Sequence, residues 1–149
     1  MRIYLDNCSY NRPYDDQTQI RISLEATAKL YIQELIKKGE VQLVSSYTLT
    51  YEVSRTPSES KRNAINQFLE ENVSLYIDET YETEVHELAL QIMSTGVKAA
   101  DAHHAASAMI AHCDFLITTD DRLLKYKDPD LKIVTPPEFI RLYGGENND

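Results

Sequence analysis

Short apolar runs rich in β-branched residues alternate with amphipathic helical stretches along the whole chain. The runs that qualify as strands lie at residues 2–6, 41–45, 73–77, 115–117 and 132–134. Between them, apolar residues recur at helical spacing, as Leu24, Ala28, Tyr31 and Leu35 do. A parallel pair of strands needs a long crossover, usually a helix, so this alternation is typical of a parallel sheet covered by helices. The sequence therefore predicts the α/β class.

The chain is predicted to form one domain. Its 149 residues and 42% hydrophobic content suit a single core. We expect the domain to span residues 1–143 and a flexible tail to span 144–149, where the sequence reads GGENND. The apolar stretch at residues 3–5 is too short for a signal peptide or a membrane span, which predicts a cytoplasmic protein without a membrane partner. Cys8 and Cys113 are expected to be free thiols, with a disulfide between them as the alternative.

Acidic residues outnumber basic ones by 24 to 15, which gives a formal net charge of −9. Such a balance argues against binding a polyanion through bulk electrostatics. An acidic cluster that binds divalent cations is an exception, because the bound cations neutralise the charge of the carboxylates. Any nucleic-acid function therefore requires a metal site or a local basic surface.

Acids follow two of the predicted strands and begin or occupy two of the predicted helices. Asp6 ends the first strand and Asp120 follows the fourth, so both are expected at the sheet edge where parallel sheets bind ligands. Asp101 opens the helix before the fourth strand, and Glu52 lies in the helical segment after the second strand. Four converging carboxylates without matching cations suit Mg²⁺ or Mn²⁺, which prefer oxygen ligands. The structural alternatives are a helix cap for Asp120, a helix-dipole position for Asp101 and a solvated face for Glu52.

Four sequence segments carry these acids in a characteristic order. They read IYLD at 3–6, SYTLTYE at 46–52, ADAHHAASA at 100–108 and LITTD at 116–120. Each is weak alone, but the ordered set resembles the four motifs of PIN-domain nucleases, and the likeness covers almost the whole chain. The sequence is most similar to the stand-alone, VapC-toxin-like members of that family.

The resemblance implies a three-layer α/β/α sandwich around a central parallel sheet. It also implies a pocket of Asp6, Glu52, Asp101 and Asp120 that holds one or two Mg²⁺ or Mn²⁺ ions and cleaves RNA phosphodiesters. Asp6 and Asp101 are expected as principal ligands, with Asp120 binding directly or through water and Glu52 orienting water or serving a second metal. Many short members are toxins of toxin–antitoxin pairs, so an antitoxin partner and a homodimer are expected as well.

Supporting and substrate-binding residues are predicted around this pocket. Thr118 is expected to add a hydroxyl next to the metal-bound water. Many family members carry a hydroxyl residue directly after the first acid, and here Asn7, or Ser9 two positions later, is expected to replace it. The polar loop at residues 7–18 is longer than usual and supplies Arg12 as a substrate contact. Arg55 and Arg122 are predicted phosphate contacts, since each follows a pocket acid within three residues; a solvated face explains them equally well.

Three other interpretations remain open from the sequence. Zinc is not favoured, because His103, His104 and His112 lack the spacing of known zinc motifs, and one of the adjacent pair is expected to be a hydrogen-bonded packing residue. An aspartate-nucleophile phosphatase is disfavoured because the position two residues after Asp6 is Cys8. A catalytically silent PIN-like module that binds a protein or RNA partner is the main alternative to a nuclease.

Overall fold

The computed structural model describes residues 1–148, with side chains through 145. Its elements in chain order are β1 (Arg2–Leu5), α1 (Asn7–Asn11), α2 (Ile20–Lys37), β2 (Gln42–Ser46), α3 (Tyr47–Ser54), α4 (Glu59–Asn72), β3 (Val73–Ile77), α5 (Glu82–Met93), α6 (Ala99–Ile110), β4 (Phe115–Ile117), α7 (Asp121–Leu124), β5 (Lys132–Val134) and α8 (Pro136–Asn148). Single 3₁₀ turns lie at Arg12–Tyr14 and Glu79–Tyr81. The alternation of strands and helices predicted from the sequence is confirmed.

The five strands form one parallel sheet in the order β3-β2-β1-β4-β5. The chain adds β2 and β3 on one side of β1 and then returns to add β4 and β5 on the other. The strand order therefore reverses between β1 and β4, and ligands of open parallel sheets bind at such a reversal, beyond the carboxyl ends of the strands. The backbone N–H of Asp6 donates to the Ile117 carbonyl (3.2 Å), which keeps these two strand ends side by side.

Side chains of alternating register pack into two cores, one on each face of the sheet. Tyr4, Val44 and Leu116 face the layer that contains α5 and α6. Ile3, Leu5, Leu43, Phe115 and Ile117 face the opposite layer, formed mainly by α2, α4 and α8. Both faces are covered, so the predicted three-layer α/β/α sandwich with a central parallel sheet is confirmed. Small residues in α6, among them the fully buried Ala102 and Ala105, let that helix approach the sheet closely.

Two local predictions differ from the structure. The predicted loop at 7–18 contains α1, because the Asp6 carboxylate accepts the Ser9 N–H and so caps a helical turn. The predicted tail begins inside α8, whose backbone stays helical through Gly144 and Gly145 to Asn148; residue 149 lies outside the described residues. α8 packs along α2. No helix within residues 1–148 has the length and apolar character needed to cross a membrane.

Candidate active site

The structure brings the predicted acids to the edge of the sheet where the strand order reverses. Asp6 follows β1 and caps α1, and Asp120 follows β4 and caps α7 through the Arg122 N–H (2.8 Å). Asp101 lies in the first turn of α6, and Glu52 lies in α3, directly after β2. The helix-cap role that was the structural alternative for Asp120 is real, and it leaves the second carboxylate oxygen of that residue without a hydrogen bond to any described group.

Asp6 is the most buried of these acids, at 1% exposure. One carboxylate oxygen accepts the Ser9 N–H (3.0 Å), and the other accepts the Thr118 hydroxyl (2.5 Å). The Thr118 oxygen in turn accepts the Asp120 N–H (3.0 Å), so this hydroxyl connects the two acidic loops. Burial raises the pKa of Asp6, while the hydrogen bonds from Thr118 and Ser9 oppose that rise. The carboxylate is thus fixed in orientation by groups behind it.

The four carboxylates act on one another electrostatically. Burial and then the charges of Asp120, Asp6 and Glu52 raise the pKa of Asp101 to about 6. The nearby Cys8 thiol responds to the same field: burial first, and then all four acids, raise its pKa to about 12. A concentrated negative charge therefore surrounds this edge of the sheet, and no Lys or Arg of the described chain forms an ion pair with Asp6, Asp101 or Asp120.

Glu52 is held by a chain of side chains that begins in the core. Its carboxylate contacts His104 Nε2, and His104 Nδ1 contacts the Tyr4 hydroxyl (2.5 Å). The Tyr4 hydroxyl also contacts Ser46 Oγ (2.6 Å), which accepts the Leu49 N–H (3.3 Å). Tyr4, Ser46 and His104 are buried, whereas 27% of the Glu52 side chain is exposed. The chain therefore runs from the interior to the acidic edge.

One direction of donation satisfies every proton in this chain. Since Ser46 Oγ accepts the Leu49 N–H, it can donate its own proton to Tyr4, which donates to His104 Nδ1. The neutral ring then carries its proton on Nε2 and donates it to Glu52. If the imidazole of His104 were charged, its Nδ1–H would donate to the Tyr4 hydroxyl, which would then donate to Ser46 Oγ. The hydroxyl proton of Ser46 would be left without an acceptor among the described groups. The neutral Nε2–H tautomer is the arrangement that uses all the hydrogen bonds.

The three predicted substrate arginines have different surroundings. The Arg12 guanidinium contacts Glu25 (3.0 Å) and Asp15 (3.1 Å) and is only 16% exposed. These ion pairs hold the segment after α1 against α2, while Arg12 also lines a groove that contains Asp120; its contact with substrate stays a prediction. Arg55 is exposed, stacks over the Tyr51 ring at 5.6 Å and lines a groove of about 360 Å³ that reaches Glu52. Arg122 is exposed in a second groove beside α7.

The sequence matches the PIN domain over residues 18–129, three quarters of the chain. This chain belongs to the PIN-domain family. The match includes Glu52, Asp101 and Asp120 but starts after Asp6, so the geometry described above is what associates Asp6 with the other acids. PIN domains are generally nucleases, and they generally use divalent metal ions.

Solved structures with the same fold include proteins from several bacteria. VapBC-1 from nontypeable Haemophilus influenzae has a chain 18% identical, with a TM-score of 0.56 over 91% of this PIN domain and 98% of that chain. A chain of FitAcB from Neisseria gonorrhoeae is 23% identical, with a TM-score of 0.52 over 90% of this chain and 97% of that chain. A chain of VapBC2 from Rickettsia felis, solved with a fragment of promoter DNA, is 17% identical, with a TM-score of 0.54 over 89% of this chain and 97% of that chain. No curated protein matches the sequence.

The donor set of this PIN domain fits a divalent ion in charge and chemistry. Carboxylate oxygens are the ligands that Mg²⁺ and Mn²⁺ favour, and the mutual repulsion that raises the pKa of Asp101 is relieved by a cation. In the part of the chain that the structure describes, no three His, Cys, Asp or Glu side chains are arranged to hold an ion directly. Mg²⁺ usually keeps several waters and binds through one or two carboxylates, so the fit does not require a preformed triad.

The remaining sequence predictions concern polar residues and cysteines near the acids. Asn7 accepts a hydrogen bond from Asn11 (3.0 Å), whereas Ser9 both donates to Asp6 and anchors its hydroxyl on the Ile117 carbonyl (3.0 Å). Ser9 is thus the residue that supports Asp6. Cys8 and Cys113 are free thiols, and the three histidines of 103–112 form no metal site within the described residues.

Sequence reasoning missed the support that Tyr4 and His104 give to Glu52. A signal for Tyr4 was present, because a tyrosine inside an apolar strand needs a hydrogen-bond partner for its hydroxyl when buried. The partners come from 42 and 100 residues away in the chain, so the sequence could not name them.

Proposed function

We propose that this PIN domain is a divalent-metal-dependent endoribonuclease that hydrolyses RNA phosphodiester bonds at Asp6, Glu52, Asp101 and Asp120. The observation that carries the proposal is the convergence of these acids, without Lys or Arg ion pairs in the described chain, at the reversal of the strand order. Asp6 and Asp101 would hold the ion, which is Mg²⁺ or Mn²⁺, and Asp120 would contact it directly or through water. Such an ion supplies a more acidic bound water and stabilises charge on the phosphate.

The residues behind the acids keep them in place. Thr118 and Ser9 fix both oxygens of Asp6, so its free lone pairs have a defined direction. Glu52 accepts the His104 Nε2–H and keeps its other oxygen available to orient a water molecule or to serve a second ion. Of the predicted substrate residues, Arg55 and Arg122 are the main phosphate contacts of the proposal, because both are exposed in grooves, and Arg12, already paired with two acids, is the weaker candidate.

The proposal is tested by incubating the purified protein with labelled single-stranded RNA in Mn²⁺, Mg²⁺ or EDTA. Asp101→Asn is the inactivating variant, since it removes a charged ligand with little change in shape. Asp114→Asn is the matched control, because Asp114 lies at the opposite, amino end of β4, where its carboxylate accepts the Arg2 N–H (2.9 Å). We expect metal-dependent cleavage by the wild type and the control, and a loss of at least a hundredfold in Asp101→Asn.

Cleavage that survives both EDTA and Asp101→Asn would come from a contaminant and would overturn the proposal. Labelled single-stranded DNA of the same sequence serves as the second substrate. Cleavage of DNA alone would leave a metal-dependent nuclease but would contradict the assignment to RNA.

We also propose that the chain is the toxin of a toxin–antitoxin pair. The support is the likeness to chains of VapBC and FitAB complexes, one of which was solved with promoter DNA. A small adjacent reading frame for a DNA-binding protein is the expected genomic context, and its product should co-purify with this chain and suppress cleavage. A homodimer is expected for the toxin alone, which light scattering after size exclusion measures directly.

A catalytically silent PIN-like module that binds a protein or RNA partner is the second candidate. It is favoured by one observation, that no three side chains within the described residues are arranged to hold an ion. The two functions differ in metal binding: the silent module shows no change in melting temperature with Mn²⁺, whereas the nuclease is stabilised by it.

A further inference from the structure

A groove of about 490 Å³ lies beside α7 and carries the most concentrated positive charge near the acidic edge. Arg122, Lys125 and Lys127 line one wall. The other wall is the turn at residues 95–97 between α5 and α6. Tyr126, half-buried, lies between the two lysines in sequence and also lines the groove. Three cations in one groove are unusual in a chain whose net charge is −9.

The basic residues of this groove are not held in ion pairs. Arg122, Lys125 and Lys127 form no ion pair with any acid of the described chain. Asp121, which precedes Arg122, is paired with Arg21 through two contacts of 2.7 and 3.0 Å, and Asp128, which follows Lys127, accepts a hydrogen bond from the Tyr126 hydroxyl (3.5 Å). All three basic side chains belong to exposed residues, so they are available to an anionic ligand.

The groove adjoins the elements that carry two of the acids. α7, which supplies Arg122, begins immediately after Asp120, its N-cap. The turn at 95–97 leads into α6, whose first turn contains Asp101. The groove is therefore a candidate binding surface for a strand of nucleic acid that extends beyond Asp101 and Asp120. A second groove, lined by Arg55 and Lys61, reaches Glu52 on the other side of the acids.

We propose that the groove of Arg122, Lys125 and Lys127 binds the phosphate backbone of a single RNA strand that crosses the acidic site. This inference rests on the proposed nuclease function and adds a path to it: the strand lies along the Arg55 groove, the acids and the α7 groove. Single-strand binding sites combine a basic groove with an aromatic side chain, and Tyr126 supplies the aromatic here. A protein partner fits less well, because the cores of protein interfaces are depleted in charged residues. This groove is lined by three basic residues, and Val97 and Tyr126 are its main apolar ones.

The test uses the double variant Lys125→Gln/Lys127→Gln, which removes two of the three groove cations and leaves the four acids, Arg55 and Arg122 in place. Lys37→Gln/Lys38→Gln is the matched control, with the same change in net charge at the end of α2, on the side of the sheet where the strands begin. The affinity for labelled RNA of 4 and 12 nucleotides is measured by fluorescence anisotropy in the Asp101→Asn background, over a series of salt concentrations. Circular dichroism confirms that each variant is folded.

We expect the double variant to weaken binding of the 12-nucleotide RNA about tenfold and of the 4-nucleotide RNA less than about twofold. The slope of log K against log salt should fall by about 1.4, since each lost phosphate contact on a single strand contributes about 0.7. The control should change affinity less than about twofold. Unchanged binding of the long RNA, or an equal loss in the control, would overturn the proposal.

Failure of the groove and failure of the nuclease are separable in this design. Suppose that the wild type cleaves no RNA, but the double variant binds the 12-nucleotide RNA more weakly and the control does not. The groove then binds RNA, and the nuclease proposal fails. If RNA is cleaved and binding is unchanged in the double variant, the groove proposal fails. Retained RNA binding with loss of the co-purifying partner would assign the groove to a protein instead and would also overturn it.

Discussion

At the scale of single residues, the candidate site depends on polar groups that the core itself holds. The Tyr4 hydroxyl is fully buried, and burial strongly raises its pKa, so it acts as a neutral donor and acceptor. Leaving such a group unpaired costs about 1–3 kcal/mol, which makes the chain from Ser46 through Tyr4 and His104 to Glu52 a stabilising feature as well as a support for the site.

Removing the Tyr4 hydroxyl tests both roles. Tyr4→Phe keeps the ring but leaves His104 Nδ1 without its donor, so the imidazole is free to change tautomer or rotate. We expect the free energy of unfolding to fall by about 1–3 kcal/mol and kcat to fall about tenfold with KM little changed. Urea denaturation and steady-state cleavage measure these effects.

Tyr76→Phe is the control for Tyr4→Phe. It also removes a tyrosine hydroxyl with a hydrogen bond, to Thr50 (2.9 Å), but at 43% exposure. Water replaces that bond, so the loss of stability should stay below about 0.5 kcal/mol and kcat should not change. Equal effects of the two substitutions on kcat would show that Tyr4 does not position Glu52.

Asp101 predicts a dependence of stability on pH. Burial and the other acids raise its pKa from 3.8 to about 6, so the native state holds this proton more tightly than the unfolded chain does. The contribution of Asp101 to the free energy of unfolding should therefore fall as the pH rises from about 4 to 6 and stay lower above that. In EDTA at pH 7, Asp101→Asn should be more stable than the wild type by on the order of 1 kcal/mol, a value reduced for solvent screening. Near pH 4 the two proteins should be equally stable, because Asp101 is then protonated in the native state.

The measurement is urea denaturation at several pH values, with Asp114→Asn as the control. Asp114 is exposed, and its carboxylate accepts a backbone N–H, so its removal should not stabilise the protein at neutral pH. A wild type that is more stable than Asp101→Asn at pH 7 in EDTA would mean that the acids do not repel one another as described.

At the scale of elements, the sequence predicts what burial dictates and misses what local capping creates. The strands at 73–77, 115–117 and 132–134 have the predicted bounds, because each is a short apolar run bounded by polar or turn-forming residues. α1 leaves no such pattern: five residues are too few for helical periodicity, and the element exists because Asp6 caps it. The same carboxylate therefore ends a strand, begins a helix and faces the site.

The sequence predicted the acids of the candidate site but not all of the contacts around them. Asp6 and Asp120 were located by the ends of strands, and Asp101 and Glu52 by the order of motifs. The ion pair of Arg12 with Glu25 was not predicted, because Glu25 lies in α2 and the pairing depends on how that helix packs. Contacts between residues far apart in sequence leave no trace in a single sequence.

Thr118 is where two elements meet, since its hydroxyl joins the end of β1 to the turn before α7. Thr118→Val keeps the shape but leaves an Asp6 oxygen and the Asp120 N–H without their partner. We expect a loss of about 1–3 kcal/mol in the free energy of unfolding in EDTA, measured by urea denaturation. Thr118→Ser keeps the hydroxyl and should lose about 1 kcal/mol or less for one buried methyl group. A larger loss in the serine variant would show that packing, and not the hydrogen bonds, is what Thr118 contributes.

At the scale of the whole molecule, the net charge of −9 is unevenly distributed. Four acids converge at one edge of the sheet, and the grooves on either side of them contain basic residues with no ion pair to an acid in the described chain. An RNA strand along this path is attracted at both ends and repelled in the middle. Divalent ions at the acids would remove that repulsion, so binding should depend on both the metal and the grooves.

This arrangement predicts that removing one acid strengthens RNA binding when no metal is present. In EDTA, Asp101→Asn should bind a 12-nucleotide RNA several-fold more tightly than the wild type, because a phosphate at the site then faces less negative charge. Asp114→Asn changes the net charge equally but lies at the other end of β4, so its affinity should stay within about twofold of the wild type. Fluorescence anisotropy measures all three affinities at one salt concentration. Because the two variants differ only in where the charge is lost, equal affinities would mean that the strand bound in EDTA does not cross the acidic edge.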